Sequence, residues 1–518
     1  MAAQKIVGMP VPTQNKCANM RINQEQYFWK VIIAFGITLF SLNSVLFILL
    51  GQANADEGWY LYASKLVYAG QHPYQDFAYS QTPLLPYIYG IAQNLFSQSI
   101  YLGRVTSAIF STIAFVLSLM VARNYGGKMA SGITSLLGAT FTYGIYFQSI
   151  TKTYALTTFF FILAFFALSS NFRQDLKLIL STIFVLLATL IRLSALFFAI
   201  PFIIYAFIVS NVKYKLIMVA FCLLALSWVL ILALPNISAA EWGFLTHHSS
   251  QWGNISIAER IAQILNFRIP LLLVIFPSYF LLWATLFLMG YNQIKIHIKR
   301  YFIVFITITG LFLFAIPNLI SGGFYADYFV PFIFISFPIS GIAYTKIFHR
   351  QSQYSKIVMT VVLLSTLVLG LIRGGFYFID ISGGHAPVEE IRNVSTIISE
   401  NSTPRDKIFV LEALWLAIES NRQVMPNMTM AQFSFYDIDT KTANHLHLIN
   451  GQIALSYIEN SIPKIIILTD LDWGILRNTF YYENIVASLE KNYRLLYSEA
   501  NFGQNSSHIE VYIRRKDK

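Results

Sequence analysis

The chain has 518 residues, of which 56% are hydrophobic and 12% charged, with a mean hydropathy of +0.57. Soluble domains carry about 25% charged residues, so half that density over such a length leaves too little polar surface to coat a water-soluble globule. The formal charge of +11 is uneven: residues 1–375 hold 23 Lys and Arg against 8 Asp and Glu, and residues 376–518 hold 13 against 17. The basic excess belongs to the apolar part, where cationic loops set orientation, and nucleic-acid binding is not needed to explain it.

The first long apolar run is Val31–Leu50, followed by Ala53-Asn54-Ala55, which imitates a signal-peptidase site. A signal core is roughly 7–15 residues, whereas about twenty span a bilayer, so this run reads as an uncleaved first span. Further apolar stretches fall near 101–122, 129–148, 153–170, 178–192, 194–210, 216–235, 270–290, 301–320, 328–345 and 357–375, eleven in all. The short fifth and sixth divide at Arg192-Leu193-Ser194. Cys17 in the polar tail and Cys222 in an apolar stretch are not placed to form a disulfide.

With the N-terminus in the cytoplasm, the inner loops hold sixteen Lys and Arg and the other side of residues 1–375 holds seven. Every inner loop has at least two, as the positive-inside rule asks. Eleven spans then put residues 376–518 outside the cytoplasm. Asp56, Glu57, Asp76, Glu241, Glu259 and Asp327 fall on that side too, as do six Asn-x-Ser/Thr sequons.

Two outer loops are long, 51–100 and 236–269. The first is rich in Tyr and Trp, which suit either a membrane-interface belt or the stacking of sugar faces. Residues 376–518 change character: Pro387-Val388-Glu389-Glu390 opens a helix, β-rich runs lie at 408–411, 465–468 and 509–513, and 441–459 and 482–491 read as helices. This is a small extracytoplasmic α/β domain behind a membrane domain of residues 1–375. The order Asp470-Leu471-Asp472 imitates the Asp-x-Asp of nucleotide-sugar enzymes, but a lone three-residue match carries little.

The segment after the first span is the most informative. It runs Asp56-Glu57, Tyr60, Tyr62, Gly70, Pro73-Tyr74-Gln75-Asp76 and Thr82-Pro83-Leu84-Leu85, and ends at Gly103-Arg104 opening the second span. Here the chain resembles the C-class (GT-C) glycosyltransferases, especially relatives of the protein O-mannosyltransferases and the lipid A aminoarabinose transferase. The motifs cover roughly residues 30–200, and the architecture covers the whole chain. The resemblance implies a helical polytopic membrane enzyme that moves a hexose or pentose, with inversion, from a polyprenyl-phosphate donor to a lipid, glycan or protein acceptor.

On that reading the leaving phosphate needs cations nearby and the acceptor hydroxyl needs a base. Asp56 is the candidate base, its alternative being an N-cap on a helix from about 57 to 69. Glu57 is left to orient the acceptor or a cation, and a divalent cation is the one cofactor the pattern admits. Arg104 is first in line for the phosphate, then Lys152 and Arg192; each could instead anchor lipid headgroups. Tyr60 and Asp76 complete the expected substrate site. Many relatives carry a further acid where this chain has Lys152-Thr153-Tyr154, and Asp327 could supply the missing charge. His247-His248 and Trp252 in the second long loop are weaker candidates.

Two other classes compete: a secondary transporter and a membrane scaffold with an outer binding domain. No internal repeat is visible and the acids gather at one mouth, whereas transporters place ionisable groups and broken helices at the midplane. The topology is testable directly. Protease added outside intact cells should digest residues 376–518 and spare the tail before Lys30, and the reverse pattern would overturn the orientation.

Overall fold

The computed structural model describes residues 13–247, 256–296, 325–373, 387–504 and 506–515, with 309–310, 313, 319, 375 and 378–379. Helix α1 (Thr13–Leu50) runs through the expected first span. The first long loop contributes α2 (Ala55–Tyr68) and α3 (Leu84–Leu95). Ile91, Leu95 and the adjoining Phe96 stay exposed on α3, as an amphipathic helix lying at a membrane surface requires.

Helix α4 (Ile100–Thr140) covers two expected spans because Gly127, at φ 75° and ψ −167°, leaves helical geometry. The chain doubles back there. Phe115 of the first half stacks on Phe40 of α1 at 4.4 Å and fills the space beside Gly138 of the second half. The second half then climbs α1, with Gly132 against Trp29 and the Ala139 carbonyl accepting from Asn43. Only glycine takes that φ without strain.

Helices α5 (Thr142–Ser149) and α6 (Thr153–Ser169) meet at 104°, a broken span that leaves residues 150–152 non-helical. Helix α7 (Gln174–Ile191) stops where Arg192 turns extended, at φ −145° and ψ 119°. Helix α8 (Leu196–Val209) follows, so the expected division at Arg192-Leu193-Ser194 is present. Among the described residues six helices are long and apolar enough to cross a membrane, or eight if two bent pairs count as one span each. The expected eleven also divides α4 at Gly127, includes the short α8, and includes 301–320, most of which lies outside the described residues.

The C-terminal domain has a five-stranded sheet of order β2-β1-β3-β5-β4, with β1 Lys407–Phe409, β2 Gln423–Val424, β3 Ile465–Thr469, β4 Tyr493–Phe502 and β5 Ser507–Arg514. β1 runs parallel to β2 and β3, while β5 is antiparallel to β3 and β4. β3 is buried at every position and β5 alternates, so apolar content reveals the first and period two the second. The helix Pro387–Glu400 buries Val388, Ile391, Val394 and Ile398. The expected helix over 441–459 is two, Thr440–His445 and Gly451–Glu459, because His447 takes φ 59° and Asn450 caps the second.

Glu412 and Asp472 are buried at the carboxyl ends of β1 and β3. Asp472 accepts from the backbone amides of Glu412 (3.0 Å) and Thr469 (3.1 Å), and Glu412 accepts the Thr469 hydroxyl at 2.6 Å. Asp472 therefore completes a helix cap, and Asp470 accepts the His508 amide, so the Asp-x-Asp pair is structural. Burial, with the Glu412 charge adding to it against the two amide bonds, pushes the Asp472 carboxyl up to about 7. Its folded-state affinity for a proton exceeds the unfolded one, so its contribution to stability is full below about pH 4 and is lost as pH rises through about 7. The difference between the limits is on the order of 4 kcal/mol. Full-length protein should therefore resist proteolysis of this domain better at about pH 5.5 than at about pH 8, with Asp472→Asn flattening the difference; an unchanged difference would refute the assignment.

Candidate active site

The mouth of the bundle beneath the C-terminal domain collects most of the charged candidates. Helix α2 starts two residues earlier than expected: Asn54 is its N-cap, its side chain accepting from the Asp56 amide at 3.2 Å, and the Glu57 carboxylate reaches back to the Asn54 amide at 3.2 Å. The expectation that Asp56 caps the helix is thus replaced. A capping box exists, with Glu57 in the third position.

Glu57 and Arg104 are both fully buried and paired through two bonds, Nη2 to Oε1 at 2.7 Å and Nε to Oε2 at 2.9 Å. The remaining guanidinium N–H groups go to backbone carbonyls: Nη1 to Gly51 (2.8 Å), Phe47 and Ile48 (both 3.3 Å), and Nη2 to Gln52 (2.9 Å). All five donors of the fork are used. α1 has no basic residue in its last turn, and Arg104 supplies from α4 the cation that a helix C-terminus favours. The arrangement leaves Arg104 no donor for a leaving phosphate and Glu57 no open face for an acceptor. That geometry favours a structural lock over either expected role.

Asp56 points the other way. Its Oδ2 lies 2.9 Å from the Lys152 ammonium and its Oδ1 accepts from the Trp59 indole at 3.1 Å. Lys152, lifted into the mouth by the break between α5 and α6, also contacts Asp327 Oδ2 at 3.0 Å, and the Tyr154 hydroxyl donates to the same oxygen at 2.6 Å. Asp327 thus lies in the same cluster as Asp56, joined to it through Lys152. Arg192 is held by Thr153 (2.9 Å) and Ser194 (2.7 Å), with its guanidinium between the Tyr154 and Tyr328 rings at 4.8 and 5.0 Å. Among the described residues it makes no carboxylate ion pair.

Exposure separates the acids: the Asp56 side chain is 26% exposed, Asp327 10% and Glu57 0%. Burial pushes the Asp56 carboxyl up, but the Lys152 charge and hydrogen bond, with help from Trp59 and Arg192, more than offset this and hold it below the usual carboxylate range. Asp56 is ionised and reachable. Tyr60 lies against Trp59 with ring centroids 3.7 Å apart, and burial, then the Asp56 charge, keep its phenol protonated. Asp76 is not in the cluster. It is exposed and accepts the His72 amide in a turn at 2.7 Å. His247 bonds Tyr436 at 2.9 Å, joining the second long loop to the C-terminal domain, while His248 and Trp252 lie outside the described residues. Among the described residues no three His, Cys, Asp or Glu side chains gather to hold a metal ion.

Sequence reasoning missed Trp59 and Tyr154, the donors to the two acids. Trp59 stands three residues after Asp56 on one helix face, a spacing that could have found it. Nothing local ties Tyr154 to Asp327, which is 173 residues away.

These features define a multi-pass membrane protein with the fold of the C-class glycosyltransferases and a small C-terminal sheet domain. The chain is similar to ArnT, the lipid A aminoarabinose transferase, of Cupriavidus metallidurans: 12% identical to its form bound to undecaprenyl phosphate, covering 93% of this chain and 97% of that one at a TM-score of 0.60. To the apo form it is 13% identical, covering 94% and 98% at 0.61. An Archaeoglobus fulgidus oligosaccharyltransferase in its apo form is 14% identical, covering 95% and 75% at 0.47. No family model and no curated protein sequence matches the chain.

The buried lock makes a prediction that separates it from a phosphate clamp. Removing one partner of a buried ion pair costs roughly 3–5 kcal/mol. Arg104→Lys, with three donors, cannot serve these six acceptor oxygens, so it should lower the melting temperature of purified protein and its folded yield. Normal stability with turnover lowered about tenfold or more would instead return Arg104 to the substrate.

Proposed function

We propose that this protein transfers a sugar from a polyprenyl-phosphate donor to an acceptor hydroxyl on the extracytoplasmic side, inverting the anomeric centre. Asp56 is the base. The observation that carries the reading is an ionised, partly exposed carboxylate at the mouth, with an arginine fixed in the same cluster that makes no carboxylate ion pair among the described residues. The likeness to a transferase bound to undecaprenyl phosphate supports a carrier of that chemical class.

In the proposed step the acceptor oxygen attacks the anomeric carbon as the carbon–phosphate oxygen bond breaks. Asp56 takes the hydroxyl proton, and the lipid phosphate leaves with the bonding pair. A phosphate is a good leaving group, so charge stabilisation outweighs acid catalysis. Arg192 is the first cation for it, because among the described residues it makes no carboxylate ion pair. Lys152 is the second, already divided between Asp56 and Asp327. Tyr60 and Trp59 offer ring surface beside the base for a sugar.

Bent spans such as the one at 150–152 are a feature a transporter would share. The charges gather at the ends of the spans and not at their middles, which favours the enzyme. Purified protein in nanodiscs, given radiolabelled polyprenyl-phosphate sugars, should consume donor without moving solute. Asp56→Asn leaves the Asn54 cap and the Glu57 lock untouched, so the fold should survive while transfer falls by about 10²–10⁴. Wild-type transfer by that variant would dismiss Asp56 as the base.

A further inference from the structure

Helix α2 has two faces with different owners. Asn54, Gly58, Tyr62 and Lys65, at intervals of four, four and three residues, form one stripe, and each meets the C-terminal domain. The Trp415 indole donates to the Asn54 carbonyl at 2.8 Å. A side-chain carbon on Gly58 would lie 2.9 Å from the Trp415 backbone nitrogen and 3.1 Å from Leu414, so the two backbones approach as closely as glycine permits. The Val424 amide donates to the Tyr62 hydroxyl at 3.0 Å, and Lys65 bonds Asn421 at 2.9 Å and the Arg422 carbonyl at 3.1 Å. Asp56 looks away from this stripe, toward Lys152.

A second contact closes on the start of the same helix. Gln504, in the turn between β4 and β5, accepts the Ala55 amide on its Oε1 at 2.7 Å, and its carbonyl accepts the Gln52 side chain. The Ala55 amide is one of the donors a helix start leaves unmatched. Backbone groups of both residues immediately before Asp56 are thus held by the C-terminal domain, one by Trp415 and one by Gln504.

The place on the sheet is telling. β1 is flanked by β2 on one side and β3 on the other, and Trp415 and Val424 lie beyond or at the carboxyl ends of these parallel strands. In open α/β sheets that divergence is where ligands bind. Here α2 of the membrane domain packs there.

We infer that the C-terminal domain serves as a positioning device for Asp56, with α2 seated where such a sheet takes a ligand and Trp415 and Gln504 as its positioning residues. The inference rests on the reading of Asp56 as the base. Neither residue contacts Asp56 itself; each fixes the backbone from which it projects. A misplacement of about 1 Å in a reacting group can cost on the order of 10²-fold.

The test uses the full-length protein in nanodiscs with Trp415→Phe, which keeps a ring and loses the N–H, Gln504→Ala, and the two combined. Hydrogen exchange across Ala55–Tyr68 should quicken in each variant while exchange in β3 stays as in the wild type. With a polyprenyl-phosphate sugar as substrate, kcat should fall about 10- to 100-fold in the combined variant with donor KM within about twofold. The acid limb of the rate profile should also move to higher pH, because a loosened Asp56 loses part of the Lys152 charge. Gln504→Ala, at a partly exposed turn, keeps the test readable if Trp415→Phe fails to fold. Unchanged α2 exchange, or quickened exchange with wild-type kcat and pH limb, overturns the positioning role. A wild-type protein that transfers no sugar overturns the proposed reaction and leaves the exchange result to judge the seating of α2 alone.

Discussion

Everything at the mouth is hung from one buried ion pair. The α1 carboxyl end presents the carbonyls of Phe47, Ile48 and Gly51, the first of which also accepts the Gly51 amide, and the α4 guanidinium takes them together with Glu57. This single side chain joins the end of the first span, the turn at Gln52, the start of α2 and the start of the second span. A buried charge is tolerable only when paired and fully bonded, and here both conditions are met. Because Glu57 is consumed in this way, its neighbour is released from structural duty. Two adjacent acids on one helix differ by about 100° in direction, and that difference divides foundation from chemistry.

The second charged group has a different balance. Asp56 and Asp327 share one lysine, and Arg192 stands beside them without an acid of its own. The four formal charges cancel, and Arg192 is the cation of the set that makes no carboxylate ion pair among the described residues. Tyr154 ties the set together by donating to Asp327 and covering one face of Arg192. Three breaks in helical geometry, at Gly51–Asn54, at 150–152 and at Arg192, bring these side chains to one level. At the first two, irregular backbone is satisfied by side chains of Arg104, Glu57 and Tyr89 inside the protein instead of facing lipid.

The membrane class, the spans and the small α/β domain were legible because apolar run length and period-two alternation are local signals. The strands missed were those lacking such a signal: β2 is two residues long, and β4 is an edge strand without clean alternation. At the site, position along the spans was legible and roles were not. Lys152, Arg192, Asp56 and Asp327 were all drawn to one mouth by topology. That Arg104 would spend its donors on the end of α1 could not be read from Gly103-Arg104, since it depends on where the carbonyls of Phe47, Ile48, Gly51 and Gln52 come to lie. Asn54 as the true cap was within reach, because an Asn three residues before a Glu is a helix-start pattern in its own right.

The seating of α2 sets the unit in which this architecture can be exchanged. Residues 376–518 look like a module that could be traded between relatives at a single junction. Yet the surface they must match is mostly not in the spans that precede them; much of it is the stripe Asn54, Gly58, Tyr62 and Lys65, more than three hundred residues earlier in the chain. A chimera that carries only the C-terminal segment would set a foreign tryptophan against a native glycine. Grafting works as a two-piece operation, in which the loop helix travels with the domain that grips it and the spans stay behind.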